Sequence, residues 1–259
     1  MKTIILAAGI GQRLGDIPGN SSEKKPKCLL EFDGRSLLQR HLENLHHYGI
    51  GDIVIITGFE SDMIKSTLSR IGADHVDTCF NPDFTRGSIL SMLSGLNTLE
   101  ASQDFILMDA DVLYDHNILG RLINSDRENV FLLDQDFEMG EEPVKLCVRD
   151  EHIVEFRKQL DESLAFDFMG ESVGFFKFTS ATGKQLCIKA NEYISRGEDE
   201  APYEEVIRDL LLAKPEQYSF EDVSGLPWLE IDFPDDVVKA KDIILPKLTD
   251  LPQNHTQEP

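Results

Sequence analysis

The chain has 259 residues and carries 47 acidic against 25 basic side chains, a formal charge of −22 that argues against nucleic acid or an anionic membrane as partner. Its 41% apolar residues suffice for one α/β domain or two small ones, and no run approaches the roughly 18 apolar residues of a membrane span. Cys28, Cys79, Cys147 and Cys187 are scattered with no C-x-x-C spacing, so neither a zinc site nor a disulfide framework is indicated, and a reducing cytoplasm is the expected compartment.

The chain opens on Thr3–Leu6, a short β-branched and apolar run that reads as a buried strand with no signal peptide before it. Ala7, Ala8, Gly9 and Gly11 follow at once. Small side chains let a ligand approach the backbone, and the glycines free N–H groups to face an anion. Arg13 and Lys27 add two cations, with Lys24 and Lys25 close by, so strand, loop and cations form a triphosphate cradle. A dinucleotide fingerprint is the nearest competitor. Gly9 and Gly11 fit its first two glycines, and Glu31 and Asp33 lie near the expected ribose-binding acid, but Leu14 stands at the third position. Asp16–Ser22 is moreover a turn-forming cluster where that motif needs a helix.

Further on, Cys28–Phe32 reads as extended and ends at an Asp33-Gly34 turn. Ser36 caps a helix that carries Leu37, Leu38, Leu42, Leu45 and Tyr48 and stops at Gly49. Ile53–Thr57 is a strand, Ser61–Ile71 a helix, His75–Phe80 a strand, Ser88–Leu99 a helix and Phe105–Met108 a strand. Such alternation predicts a mostly parallel sheet with helices on both faces and a ligand crevice beyond the strands' carboxyl ends. The second half differs. Val144–Val148, Ile153–Lys158 and Ser172–Phe178 have short connections and read as antiparallel. Helices over Ala181–Ile194 and Tyr203–Ala213, a strand over Trp228–Ile231 and a helix over Asp235–Leu245 complete the chain. One domain is expected over 1–246, with a nucleotide-binding half at 1–135 and an acceptor-binding half at 136–246. The stretch 247–259 reads as a polar tail.

Asp109-Ala110-Asp111 follows directly on the fourth strand and so faces the crevice. Carboxylates there suit Mg²⁺, which takes one or two of them together with phosphate oxygens. Glu230 and Asp232 point the same way at the end of a late strand, so either can be an inward acid, while Asp232 can equally cap the helix after it. Arg86-Gly87-Ser88 opens a helix whose N–H groups can bind a base or phosphate, although capping by Ser88 accounts for most of that pattern. In the second half Glu171, Tyr203, Glu204, Glu205 and Trp228 combine carboxylates with aromatic rings, which suits a quaternary ammonium; a Glu-Glu pair at a helix start is also favourable in any protein. The acid-rich stretch Asp134–Pro143 is either a lid or a solvated loop.

The pattern Leu6-Ala7-Ala8-Gly9-x-Gly11-x-Arg13-Leu14, followed by Pro26-Lys27, resembles the nucleotidyltransferase superfamily that activates sugar-1-phosphates and phospho-alcohols. The resemblance covers about residues 1–245 and implies a Rossmann-like three-layer sandwich with an antiparallel acceptor-side extension. It also implies metal acids at Asp111 and Asp232, and a base pocket bordered by Leu6–Gly9, Gly11 and Arg86–Ser88. Asp109 then falls on the acceptor side. Asp-Ala-Asp in place of Gly-Asp, together with Glu230-Ile231-Asp232, is most similar to the phosphocholine cytidylyltransferase branch, which implies CTP. The expected reaction is CMP transfer to a phospho-alcohol with Mg²⁺, Arg13 and Lys27. The alternatives are a sugar-1-phosphate nucleotidyltransferase and a non-catalytic nucleotide sensor. A homodimer is left open.

Overall fold

A computed structural model describes residues 1–14 and 25–252. The turn cluster at 16–22, Lys24 and the last seven residues lie outside them.

The first strand, β1 (Lys2–Ala7), runs parallel to both β4 (Ile53–Thr57) and β6 (Phe105–Asp109), with Ala7 opposite Thr57 and Leu6 opposite Asp109. The carboxyl ends of the three strands therefore finish level, and the glycine loop and the acids leave the sheet at the same edge. A parallel strand β5 (Asp77–Phe80) flanks β4. Between β1 and β4 lies a small hairpin of β2 (Glu31–Phe32) and β3 (Arg35–Ser36), then α1 (Leu37–His47), whose cap is Ser36 with its hydroxyl accepting from Gln39 N–H. Further helices are α2 (Ser61–Arg70) and α3 (Ser88–Leu96).

Period-two alternation divides the core. Ile5, Ile55, Ile106 and Met108 face one side with Leu38, Leu42 and Leu45 of α1 and Ile64 and Leu68 of α2. Ile4, Val54, Ile56, Phe105 and Leu107 face the other, against Ile89, Met92 and Leu96 of α3. The expected three-layer α/β sandwich is thus present.

After β6 the chain forms β7 (Val112–Tyr114), α4 (His116–Asn124) and β8 (Val130–Asp134). It continues into the hairpin β9 (Lys145–Arg149) and β10 (His152–Arg157), and then the 11-residue β11 (Phe168–Phe178). This last strand joins the two halves. Its end pairs antiparallel with β6 and its beginning with β9, while β8 takes a register that shifts between Ser172 and Phe176. Gly174 sits in that shift with φ +79°, a conformation that favours glycine. Its missing Cβ also leaves space that the Asp109 carboxylate occupies.

Helices α5 (Ser180–Ser195) and α6 (Tyr203–Ala213) cover the α3 face, and β12 (Ser219–Asp222) pairs parallel with β8. The late strand β13 (Trp228–Glu230) does not join the large sheet. It pairs with β7 alone, with Trp228 opposite Tyr114 and Glu230 opposite Val112. A short α7 (Pro234–Lys239) follows and continues as a π-helical turn (Ala240–Ile244) and a 3₁₀ turn (Leu245–Lys247), so the expected closing helix is present but leaves α geometry after Lys239. The β7–β13 ribbon, α7 and the β2–β3 hairpin share a third apolar cluster around Leu14, Phe32, Leu113, Ile231 and Val237.

The described part of the stretch expected as a polar tail, 247–252, makes contacts with the fold. Leu248 packs on the third cluster, and Thr249 donates its N–H to Asp115 at 2.7 Å. No helix among the described residues is long and apolar enough to cross a membrane.

Candidate active site

Beyond the level ends of β1 and β6 opens a cavity of about 390 Å³, lined by Leu6, Ala7, Gly9, Gly11, Gln12, Arg13, Lys27, Cys28, Ala110 and Asp111. Gly11 has φ +64°, and a Cβ there would come 3.0 Å from Lys27 Cγ. The glycine thus supplies a turn that L residues avoid and lets the lysine stem lie against the loop. Lys27 itself leads a single 3₁₀ turn (Lys27–Leu29), which directs its side chain back over the cleft where the sequence predicts extended chain.

Lys27 Nζ donates to Asp111 Oδ2 at 3.0 Å and to Asp232. Arg13 reaches Asp232 Oδ2 at 2.8 Å and Glu142 Oε2 at 2.6 Å. Burial works against the Lys27 ammonium, but Asp111 and Asp232 outweigh it and hold its pKa well above the usual lysine value. The Arg13 pKa is likewise raised, with desolvation opposed by Asp232 and Glu142.

Asp232 does not cap the last helix. Asp236 does so, accepting from the N–H groups of Asp232 at 3.0 Å and Phe233 at 2.8 Å, which leaves the Asp232 carboxylate for the cations. Glu230 joins it: oxygens of Asp111, Glu230 and Asp232 lie within 4.8 Å of one another, the one such group among the described residues. Glu230 as a whole residue is exposed, but desolvation at its carboxyl and the neighbouring charges of Asp111, Asp232 and Asp109 raise that carboxyl above its ordinary value. The ribbon sets this spacing, because Ile231 N–H donates to the Asp111 carbonyl at 2.9 Å and ties the two acid-bearing turns together. Three oxygen donors converging beside the glycine loop fit Mg²⁺.

A second cavity of about 450 Å³ abuts the same acids. Its walls are the 134–143 segment, Glu171, Trp228, Glu230, Asp232, Phe233, Asp236, Lys239 and nearby apolar residues of α7 and its continuation. The carboxylates lining it outnumber one lysine, which pairs with Glu138 at 3.3 Å. Glu171 and Asp134 face each other across β11 and β8, a like-charge pair. Trp228 Nε1 donates to Asp134 Oδ2 at 2.7 Å. On the other flank of Glu171 stands Lys145, but its ammonium donates to the carbonyls of Gly140, Pro143 and Lys158. Desolvation and the Asp134 charge together push the Glu171 carboxyl up to about 7.

The predicted site residues therefore separate. Arg13, Lys27, Asp111, Asp232, Leu6, Ala7, Gly9 and Gly11 converge on the first cavity or its border with the second, and Glu171 and Trp228 line the second. Ala8 is buried, its carbonyl accepting from Phe59 N–H at 3.1 Å. Arg86, Gly87 and Ser88 line neither cavity. Arg86 pairs with Asp199, and Gly87 packs against the Asp199 backbone. Ser88 does not cap its own helix; its hydroxyl accepts from Tyr203 N–H at 2.9 Å.

Tyr203, Glu204 and Glu205, expected on the acceptor, lie outside the second cavity. Tyr203 is buried and donates its hydroxyl to Asp109 Oδ2 at 2.6 Å. Glu204 carries a buried Oε2 with no partner, and Glu205 is held by both oxygens to Arg157 at 3.0 and 3.1 Å. Asp109 sits behind Asp111, where desolvation and the charges of Asp111 and Glu204 raise its pKa well above the usual range.

Glu142 and Asp134 were unassigned within an acidic stretch, and only the tertiary fold selects them. Larger depressions occur elsewhere; one of about 750 Å³ lies at the opposite end of the sheet, beside Met1, Asp104 and Lys177, and contains none of these groups.

Residues 3–170 match the family model of the MobA-like NTP transferase domain. The chain is 25% identical over 194 residues to a CTP:phosphoglutamine cytidylyltransferase of Campylobacter jejuni, covering 69% of this chain and 73% of that one. It is 23% identical over 245 residues to the CMP-5'-(3-aminopropyl)phosphonate synthase of Streptomyces rubellomurinus, covering 93% of this chain but only 38% of that protein's length. The CTP:phosphocholine cytidylyltransferase structure from Streptococcus pneumoniae superposes with a TM-score of 0.70 at 20% identity, covering 93% of this chain and 98% of that one, which shows a shared fold. With a family match over well more than half its length, this chain belongs to the MobA-like NTP transferases and is a nucleotidyltransferase.

Proposed function

We propose that the chain transfers CMP from CTP to the phosphate of a positively charged phospho-alcohol, of which phosphocholine is the type, and releases pyrophosphate. The observation that carries this reading is the acidic, aromatic second cavity, which abuts the Lys27–Asp111–Asp232 cluster. An acceptor there places its phosphate near Lys27 and its cation near Glu171, Asp134 and Trp228. A polyol or an acidic sugar has no use for such a wall. CTP is supported by the Asp-Ala-Asp and Glu-Ile-Asp sequences and by the two relatives, whose names both specify cytidine nucleotides.

The chemistry asks little of a general base. A phosphomonoester is largely dianionic at neutral pH and is already a nucleophile. One of its oxygens forms a bond to the α-phosphorus while the bond to the bridging oxygen of pyrophosphate breaks. The main barrier is repulsion between anions, so positioning and charge stabilisation dominate. Lys27 bridges the acceptor phosphate and the α-phosphate. Arg13 releases Glu142 and meets the departing pyrophosphate. Asp111, Glu230 and Asp232 would hold Mg²⁺, which when bound supplies further charge neutralisation at the phosphates.

The test is pyrophosphate release with Mg²⁺, crossing CTP, UTP, GTP, ATP and dTTP against phosphocholine, other amino-alcohol phosphates and phosphonates, and several sugar-1-phosphates. Release with CTP and a cationic phospho-compound is expected. Release with a sugar-1-phosphate alone overturns the acceptor assignment and leaves the transferase chemistry standing. Nucleotide binding without release anywhere in the grid favours a sensor.

A further inference from the structure

We propose that His41 is a positioning residue for the metal-binding acids, acting through the backbone of the Asp109-Ala110-Asp111 turn. His41 lies in α1, far from the acids in sequence, and is 0% exposed. Its Nε2 is 3.2 Å from the Ala110 carbonyl oxygen, and its Nδ1 is 3.4 Å from the Tyr114 hydroxyl. A carbonyl can only accept, so Nε2 carries the proton and donates. Nδ1 is then the acceptor, and Tyr114 O–H donates to it. One neutral tautomer satisfies both contacts.

The ring is also fixed by packing. It lies 5.3 Å from the Tyr114 ring and 6.0 Å, edge-on, from that of Phe175, centroid to centroid. Tyr114 ends β7, opposite Trp228 of β13, and Phe175 follows the Gly174 position that makes room for Asp109. His41 therefore touches the turn between the two aspartates, the ribbon that brings Glu230 and Asp232 to Asp111, and the strand behind Asp109. Partners that orient a metal ligand without touching the metal commonly matter 10- to 100-fold in affinity or activity (an order-of-magnitude range). Here the orienting contact reaches a backbone carbonyl, so it governs the direction in which the Asp111 side chain leaves the turn.

This inference rests on the proposed metal site and not on the acceptor's identity. It is tested by direct Mn²⁺ binding, followed by electron paramagnetic resonance with and without CTP, beside the Mg²⁺ concentration that gives half-maximal pyrophosphate release. His41→Phe fills the space without a donor, His41→Gln keeps an N–H donor, and Tyr114→Phe removes the proton offered to Nδ1 together with the hydroxyl's bond to the Asn44 side chain.

Weaker Mn²⁺ binding in His41→Phe is expected, by roughly 10- to 100-fold, with a matching shift in the Mg²⁺ requirement and little change in KM for the acceptor. His41→Gln restores most of the affinity, and Tyr114→Phe weakens it in the same direction but less. If His41→Phe does not fold, the other two variants carry the test, since only an orienting role predicts affinity lost in Tyr114→Phe and kept in His41→Gln. Wild-type Mn²⁺ affinity in His41→Phe, or in Tyr114→Phe where the former is unfolded, overturns the inference. So does equal loss in the Phe and Gln variants. Absence of Mn²⁺ binding in the wild type sinks the metal site together with it, while the nucleotide grid scores the transferase reading separately.

Discussion

Lys27 is the residue on which the candidate site turns, because it neutralises two carboxylates that lie far apart in the sequence. Removing it leaves Asp111 and Asp232 facing each other without their ammonium. Lys27→Met is therefore expected to lower kcat/KM by about 10²- to 10³-fold, the scale of losing one charge-stabilising donor, with the fold retained by circular dichroism. Asp111→Asn is expected to fall at least as far; near wild-type turnover in both would remove them from the mechanism. Glu171 supplies a prediction of opposite sign for stability. Its folded pKa, about 7, lies above the ordinary carboxylate value. Its stabilising contribution is full below the unfolded pKa and is lost as pH rises through 7. Glu171→Gln should then raise Tm at pH 8 and leave it little changed at pH 4. The same substitution should weaken a cationic acceptor, and wild-type KM for that acceptor should fall as pH rises through 7. A Tm that does not rise at pH 8 would contradict the unpaired-carboxylate account.

Among the elements, β11 and the β7–β13 ribbon matter most. β11 reaches across both halves of the sheet and bends where its register with β8 shifts. Gly174→Ala demands φ +79° of an L residue and drives a methyl group into the Asp109 carboxylate. Each effect costs on the order of 1 kcal/mol or more, so a Tm several degrees lower and a weakened active site are expected from calorimetry and turnover. A neutral outcome would mean that the bend relaxes freely. The ribbon was only half legible beforehand. The Trp228–Ile231 run reads as a strand, but nothing in it says which strand it pairs with. Val112–Tyr114 is too short to stand out beside the aspartates. Short strands are specified by their neighbours more than by their own composition.

For the whole molecule the formal charge of −22 is the governing quantity. Self-repulsion disfavours the compact state and is screened over about 8–10 Å at physiological salt. Tm should accordingly rise when NaCl is taken from about 10 to 150 mM, and a salt-independent Tm would show that the acids are largely paired. Substrates are anions as well, which explains why Arg13 and Lys27 are gathered at one crevice.

Much of this protein followed from sequence alone, because the deciding interactions there are local. The glycine loop, the apolar strands and the amphipathic helices each state their conformation within about ten residues, through φ preferences and hydrophobic period. Arg13, Lys27 and Asp111 could be singled out because they flank those local signals. Only the tertiary structure decided the rest. It drew Glu142, Asp134 and His41 from unmarked positions and chose the cluster role of Asp232 over a helix cap. It also moved Tyr203 and Glu205 from expected binding groups into internal pairs with Asp109 and Arg157. Those outcomes depend on which carboxylate meets which cation or hydroxyl across the fold. Such pairing is a matter of distance in space, which spacing along the chain does not encode.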